Sequence, residues 1–187
     1  MISDKNVSGK AIIALLAFIL INGNLYVIQI TTDEYDQEHP AIYKDTVVWD
    51  DQKFRGALLN TNIHFCSLST KEMFQITKSG NAHMAPAIYE DVVVWTSYIY
   101  VQKDTNADIY GYSLSTQKEF QITSDQSDQL WPAIYEDIVV WEDYRNGNAD
   151  IYGYNLTTKE EFQITTDRGN QYSPAIYEDV VVWTDER

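Results

Sequence analysis

Three histidines, one cysteine and a recurring set of paired carboxylates are the side chains best equipped for chemistry in this 187-residue sequence. His39, His64 and His83 lie too far apart in sequence to form the paired ligand spacing of a zinc site. Cys66 has no second cysteine to join, so an intrachain disulfide is excluded. Glu90-Asp91, Glu136-Asp137 and Glu178-Asp179 have the composition of acid/base pairs. Their return at one fixed place in a repeating pattern indicates a structural turn instead. Asp143, Asn146, Asn148 and Asp150 carry oxygen ligands suited to calcium, the one cofactor these residues suggest. They lack the bidentate Glu of an EF-hand loop, and a turn whose Asn and Asp side chains bond their own backbone explains the same residues. There is no Gly-x-Ser-x-Gly elbow and no phosphate-binding loop. No residue is therefore expected to be catalytic, cofactor-binding or metal-ligating, and the expected class is non-enzymatic.

The elements that would hold these side chains follow from an internal repeat. Pro-Ala-Ile-Tyr begins at Pro40, Pro86, Pro132 and Pro174. Val-Val-Trp ends at Trp49, Trp95, Trp141 and Trp183, and Gln-Ile-Thr begins at Gln29, Gln75, Gln121 and Gln163. All three series step by 46, 46 and 42 residues. The shorter last step falls after Val-Val-Trp. Trp49 to Asn62 and Trp95 to Asp108 span 13 residues, and Trp141 to Asp150 spans 9, which predicts a surface loop of variable length there.

Within one repeat, Ala133-Ile134-Tyr135 is a short strand opened by proline, and Glu136-Asp137 is a tight turn. Ile138-Val139-Val140-Trp141 is apolar at every position, as in a strand buried on both faces. An Asn-Gly hairpin signal at Asn146-Gly147 precedes a third strand, Asp150–Leu156. Glu161–Thr165 alternates polar and apolar like a half-exposed outer strand. Four short antiparallel strands in 40–45 residues predict a β-propeller blade, which buries its faces by stacking on its neighbours.

The expected fold is thus all-β. It comprises full four-stranded antiparallel blades at about 40–77, 86–123 and 132–165, partial units at both ends (the last at 174–187), and membership of a larger six- to eight-bladed ring. The alternatives are two chains sharing one ring, as a homodimer, or an irregular four-bladed ring. Gln37, His83, Gln129 and Gln171 each precede a conserved proline by three residues. They are expected to converge on the mouth of the central channel as a polar ring able to hold water, a cation or a small ligand. Capping of the loop would account for the same placement.

Thirteen Lys+Arg against 28 Asp+Glu leave a net charge of −15, which disfavours nucleic acid and anionic lipid surfaces. Regularly spaced aromatics, 14 Tyr, 6 Phe and 5 Trp, supply a core that a disordered acidic chain would lack. Residues 1–24 carry Lys5 and Lys10, then the apolar run 11–21. They are expected to be a signal peptide or a membrane anchor extending through residues 11–30, with the propeller at 25–187. The sequon Asn155-Leu156-Thr157 offers a glycosylation site.

Tyr-Arg-Asn-Gly-Asn-Ala-Asp-Ile-Tyr at 144–152, echoed by Thr-Asn-Ala-Asp-Ile-Tyr at 105–110, resembles the TolB-like propeller repeats. The iterated Pro-Ala-Ile-Tyr, Val-Val-Trp, Asp-Ile-Tyr and Gln-Ile-Thr unit is most similar to archaeal cell-surface β-propeller repeat proteins. The first repeat departs from the pattern: Asn62-Ile63-His64-Phe65-Cys66 stands where Asp108-Ile109-Tyr110-Gly111-Tyr112 stands later. The resemblance implies an exported, extracellular module binding protein or cell-envelope components, as scaffold or adhesin. The competing implications are an envelope translocation-associated TolB-like protein and the accessory propeller of a hydrolase or peptidase.

Overall fold

A computed structural model describes residues 16–21, 24–32, 36–55, 58–78, 80–101 and 104–187. Every regular element among them is a β-strand. β3 (Asp36–Tyr43), β4 (Thr46–Arg55), β5 (Leu58–Ser67) and β6 (Met73–Gln75) form the first antiparallel blade. β7 (Ala82–Tyr89), β8 (Val92–Val101), β9 (Asp104–Ser113) and β10 (Lys118–Gln121) form the second. β11 (Gln129–Tyr135), β12 (Ile138–Asp143), β13 (Asp150–Asn155) and β14 (Glu160–Gln163) form the third. Two-stranded sheets flank these, β1 (Leu16–Ile21) with β2 (Asn24–Gln29), and β15 (Asn170–Tyr177) with β16 (Val180–Glu186).

The repeated phrases are the parts that join blades. Val48, Ile63 and Ile76 of the first blade meet Ile88, Val93 and Trp95 of the second. Val94, Ile109 and Ile122 of the second meet Ile134, Val139, Trp141 and Tyr152 of the third. The Val-Val-Trp strand is apolar on both faces because one face serves each neighbour, and Trp95 and Trp141 are wholly buried. Gln-Ile-Thr and Asp-Ile-Tyr are coupled by hydrogen bonds. Thr77, Thr123 and Thr165 accept from the backbone N–H of Ile63, Ile109 and Ile151 at 3.0, 2.8 and 2.8 Å. The same hydroxyls donate to Asn62, Asp108 and Asp150. The threonine thus ties the fourth strand to the third where the ladder ends.

The paired-carboxylate turns have the structural role their repetition suggested. Lys44, Glu90, Glu136 and Glu178 sit at φ 51°, 48°, 52° and 53°, as the first residues of two-residue hairpins. The following Asp reaches to the outer hairpin: Asp45 accepts from the Ser67 and Ser69 hydroxyls, and Asp91 from those of Ser113 and Ser115. These bonds hold both carboxyls below their ordinary range, against the opposing effect of burial.

Three boundaries differ from the sequence expectation. The inner strands begin before the proline, because a bulge carries the ladder across it. The register shifts between Glu38 and Ala41, Met84 and Ala87, Leu130 and Ala133, and Tyr172 and Ala175. The longer repeats do not spend their extra residues on loop alone. β4–β5 pairs out to Arg55↔Leu58 and β8–β9 to Val101↔Asp104, whereas β12–β13 ends at Asp143↔Asp150. Finally, the second half of the N-terminal apolar run is a strand, β1, paired with β2 from Leu16↔Gln29 to Ile21↔Asn24. Residues 1–15, 22 and 23 of the expected export segment lie outside the described residues. No described helix is long and apolar enough to cross a membrane.

Candidate functional site

The inner strands lie side by side, and the residue before each conserved proline has a special conformation. His39, Ala85, Trp131 and Ser173 have φ of 46°, 53°, 54° and 53°. Proline bars its predecessor from the right-handed helical region, and the bulge places it in the left-handed one. A non-glycine residue there costs about 1 kcal/mol or more, so something must hold it. The holder is the side chain that follows Val-Val-Trp in the preceding blade. Ala85 N–H donates to Asp50 (3.1 Å), Trp131 N–H to Thr96 (3.1 Å) and Ser173 N–H to Glu142 (2.7 Å). Asp, Thr and Glu share an acceptor oxygen, which is all the latch requires.

These four residues and Pro40, Pro86, Pro132 and Pro174 line one cavity of about 290 Å³ on the inner strands. The His39 imidazole meets the Trp131 indole edge-on, ring centroids 5.3 Å apart, and Trp131 is 44% exposed. The lining is mostly proline rings, one indole and one imidazole. It offers shape and stacking, with the Ser173 hydroxyl as its small polar group. At the Tyr ends of the strands, Tyr43, Tyr89, Tyr135 and Tyr177 form a ladder with successive centroids 4.7, 4.7 and 5.1 Å apart.

His39, which sequence spacing set aside as a ligand, comes near two carboxylates through the fold. Its Nδ1 lies 2.8 Å from Asp50 Oδ1, and Glu38 places a ligand atom within 4.8 Å of both. Asp50 is wholly buried, and that burial raises its carboxyl above the usual range, opposed by His39. Asp50 Oδ1 already serves both His39 and the Ala85 amide, so the cluster reads as a hydrogen-bonded pair bracing the first latch.

The structure does not bring Gln37, His83, Gln129 and Gln171 together around this cavity: all four are buried and none lines it, while Gln37 lines a separate pocket with Thr31, Trp49, Asp51 and His64. Gln129 and Gln171 donate to the carbonyls of Ser127 and Gly169, Gln37 accepts from Thr31, and His83 Nδ1 accepts from Trp95 Nε1 at 3.1 Å. The bulge lies between these residues and the proline. Counting back three from Pro therefore lands on the blade interior, and the residue directly before the proline is the one that lines the cavity. Two signals for this were present in sequence: a proline cannot donate to a strand ladder, and strands accommodate it at bulges.

The Asp143–Asp150 hairpin is self-bonded and does not fit calcium. Asp143 takes both the Arg145 guanidinium and the Trp141 indole N–H, and Asp150 takes Asn146, Gln163 and Thr165. A cation would have to displace an arginine. Asn155 uses its Oδ1 to accept from the Thr157 and Thr158 amides. The departures of the first blade keep its packing. His64 stacks on Trp49 (5.6 Å) as Tyr110 does on Trp95 and Tyr152 on Trp141 (6.5 Å each). Phe65 stacks on Phe74 (4.5 Å), where Gly111 and Gly153 instead lie under the rings of Phe120 and Phe162.

No protein-family model matches this chain, and no curated protein sequence does. Solved structures match in shape. TolB from Acinetobacter baumannii superposes with a TM-score of 0.67 at 17% identity, over 90% of this chain and 42% of that one. The fold is that of β-propeller blades, similar in shape to those of TolB. The propeller domain of the trilobed protease from Pyrococcus furiosus, described as having an open velcro topology, gives 0.56 at 12% identity, over 73% of this chain and 45% of that one. A chain of the nidogen/laminin complex gives 0.59 at 10% identity, over 92% and 82%. This chain thus spans less than half of the TolB and protease-propeller chains. At these identities the likeness concerns fold, and propellers host many activities.

Proposed function

We propose that this chain is a non-catalytic β-propeller module, exposed at the cell surface, that binds a protein or cell-envelope component. One observation carries the reading: the loops that follow Gln-Ile-Thr are pre-organised by bonds from the third strand or from the hairpin that leads into it. Asn106, in β9, donates to the Asp125 carbonyl, and the Ala107 amide of the same strand donates to Asp128. Asn148 reaches the carbonyls of Asp167 and Gly169 in the same way, and the Asn170 side chain accepts from the Ala149 amide. Binding residues concentrate on loops fixed by a rigid scaffold, and loops already held in place lose less entropy on binding. The net charge of −15 favours a partner with a neutral or basic surface. The repeat phrases of archaeal surface proteins support the location. The pairing of β1 with β2 favours an apolar run that stays in the folded chain over one that is removed.

A photo-crosslinking residue at Arg168 on the loop edge, with a control at Ser115 at the opposite end of the blades, tests this. Adducts with one defined envelope protein from Arg168 and none from Ser115 are expected. Equal labelling from both sites, or none from either, would overturn it. Adducts formed only from Trp131 would favour a second reading, in which an extended peptide enters the proline-lined cavity as in a translocation-associated protein.

A further inference from the structure

We propose that Glu38, His39 and Asp50 bind a divalent transition-metal ion at the rim of the proline-lined cavity, with zinc as the ion their donors fit best. The proposal is independent of the partner proposed above.

The sheet brings the three residues together. Glu38 and Asp50 are partners across the β3–β4 ladder, and the bulge begins at Glu38. His39 sits in that bulge and lines the cavity. Its Nδ1 lies 2.8 Å from Asp50 Oδ1, and the donor atoms of all three side chains lie within 4.8 Å of one another. Among the described residues this is the one such group of three His, Cys, Asp or Glu donors. Gln52 donates to Glu38 Oε2 at 2.5 Å and steadies its carboxylate.

The blade does not require these residues. The same three places hold Met84, Ala85 and Thr96 in the second blade, and Leu130, Trp131 and Glu142 in the third. In the β15–β16 unit they hold Tyr172, Ser173 and Thr184. The bulge and its left-handed residue recur in all of them. Thr96 holds its latch with a single uncharged oxygen. Asp50 therefore brings a charge and a second oxygen that the latch does not use. That oxygen, Oδ2, is buried without a hydrogen-bond partner, in a residue with no exposed surface. Glu142 shows the contrast: its Oε1 takes the Ser173 amide and its Oε2 the Tyr144 hydroxyl. A buried carboxylate oxygen left unpaired is costly, and a second carboxylate nearby adds repulsion. A cation offsets both, and a net charge of −15 draws cations to the chain.

One imidazole and two carboxylates suit zinc and its neighbours better than calcium, which takes roughly six to eight oxygens. Zinc bonds of about 2.0–2.2 Å in a tetrahedron set donors about 3.4 Å apart, so His39 and Asp50 part by roughly half an ångström. Nδ1 gives its lone pair to the ion, and the ring hydrogen moves to Nε2. Asp50 offers Oδ2, while Oδ1 keeps the Ala85 amide. Three protein ligands leave a fourth place for water or for a donor group of a molecule in the cavity. Sequence spacing could not reveal this site, because its histidine is joined to carboxylates brought near by the ladder and the bulge.

Isothermal titration of the 187-residue chain with zinc chloride tests this. The variants His39→Ala, Glu38→Met and Asp50→Thr each install a residue that the second blade carries at the same place, so the fold is kept, which circular dichroism checks. His64→Tyr and His83→Gln are controls built in the same way. The expected result is one saturable zinc site per chain, weakened about tenfold or more by each of the three substitutions and unchanged in both controls. Calcium at the same concentration should not compete. No saturable site, a site indifferent to His39→Ala, or a site lost in His64→Tyr instead would overturn the proposal.

Discussion

Single residues explain why the repeat phrases are so rigid. A Cβ built on Gly153 would lie 2.7 Å from the Phe162 ring, so this glycine gives the aromatic its seat. Gly153→Ala should destabilise the chain by about 1–3 kcal/mol through overpacking. Phe162→Leu in the same chain should recover most of that loss, as a double-mutant cycle in urea would show. His83 gives the interior an acid response of its own. Burial lowers its imidazole to about 4, and its Nδ1 accepts from Trp95. A base held below its unfolded value of about 6.5 contributes stability above that pH and loses it as pH falls toward 4. By pH 5 the loss amounts to about 2 kcal/mol. His83→Gln, the residue found at the other three repeat positions, should abolish that part of the acid sensitivity, read as melting temperature at pH 7 and pH 5.

At the level of elements, the proline bulge and its latch set both blade spacing and cavity lining. Thr96→Val keeps the shape of the side chain and removes the acceptor for the Trp131 N–H. A part-buried donor left unsatisfied costs about 1–3 kcal/mol, so the urea midpoint should fall, and Thr96→Ser should restore it. Much of this level was legible in sequence. Three phrases moving in lockstep located the inner hairpins and the third strands of the three full blades, and the recurrence of Glu-Asp marked a turn. Sequence did not reveal which side chains line the cavity. A bulge between Leu130 and Ala133 changes which residue faces the cavity, and distance from the proline does not carry that change, so the sequence reading puts Gln129 where Trp131 stands. Nor did it reveal β1. An unbroken apolar run has no period of two, and hydrophobicity alone reads equally as an export segment or a strand. The 13-residue spacing from Leu16 to Gln29 was the available signal.

For the whole molecule, stacking of blades buries Trp95 and Trp141 between neighbours and gives a rigid interior, with the loops that follow Gln-Ile-Thr on one edge. Resemblance in shape to TolB and to propellers of other proteins establishes the architecture, while binding chemistry must come from the loops and the cavity of this chain. The most direct test of the stacked blades is amide hydrogen exchange. Val93–Trp95 and Val139–Trp141, buried between neighbours, should exchange slowly, and the exposed outer strands Lys118–Gln121 and Glu160–Gln163 should exchange faster. Exchange at Val93–Trp95 and Val139–Trp141 as fast as at the outer strands would contradict the account, because the Val-Val-Trp strands would then not be buried between blades.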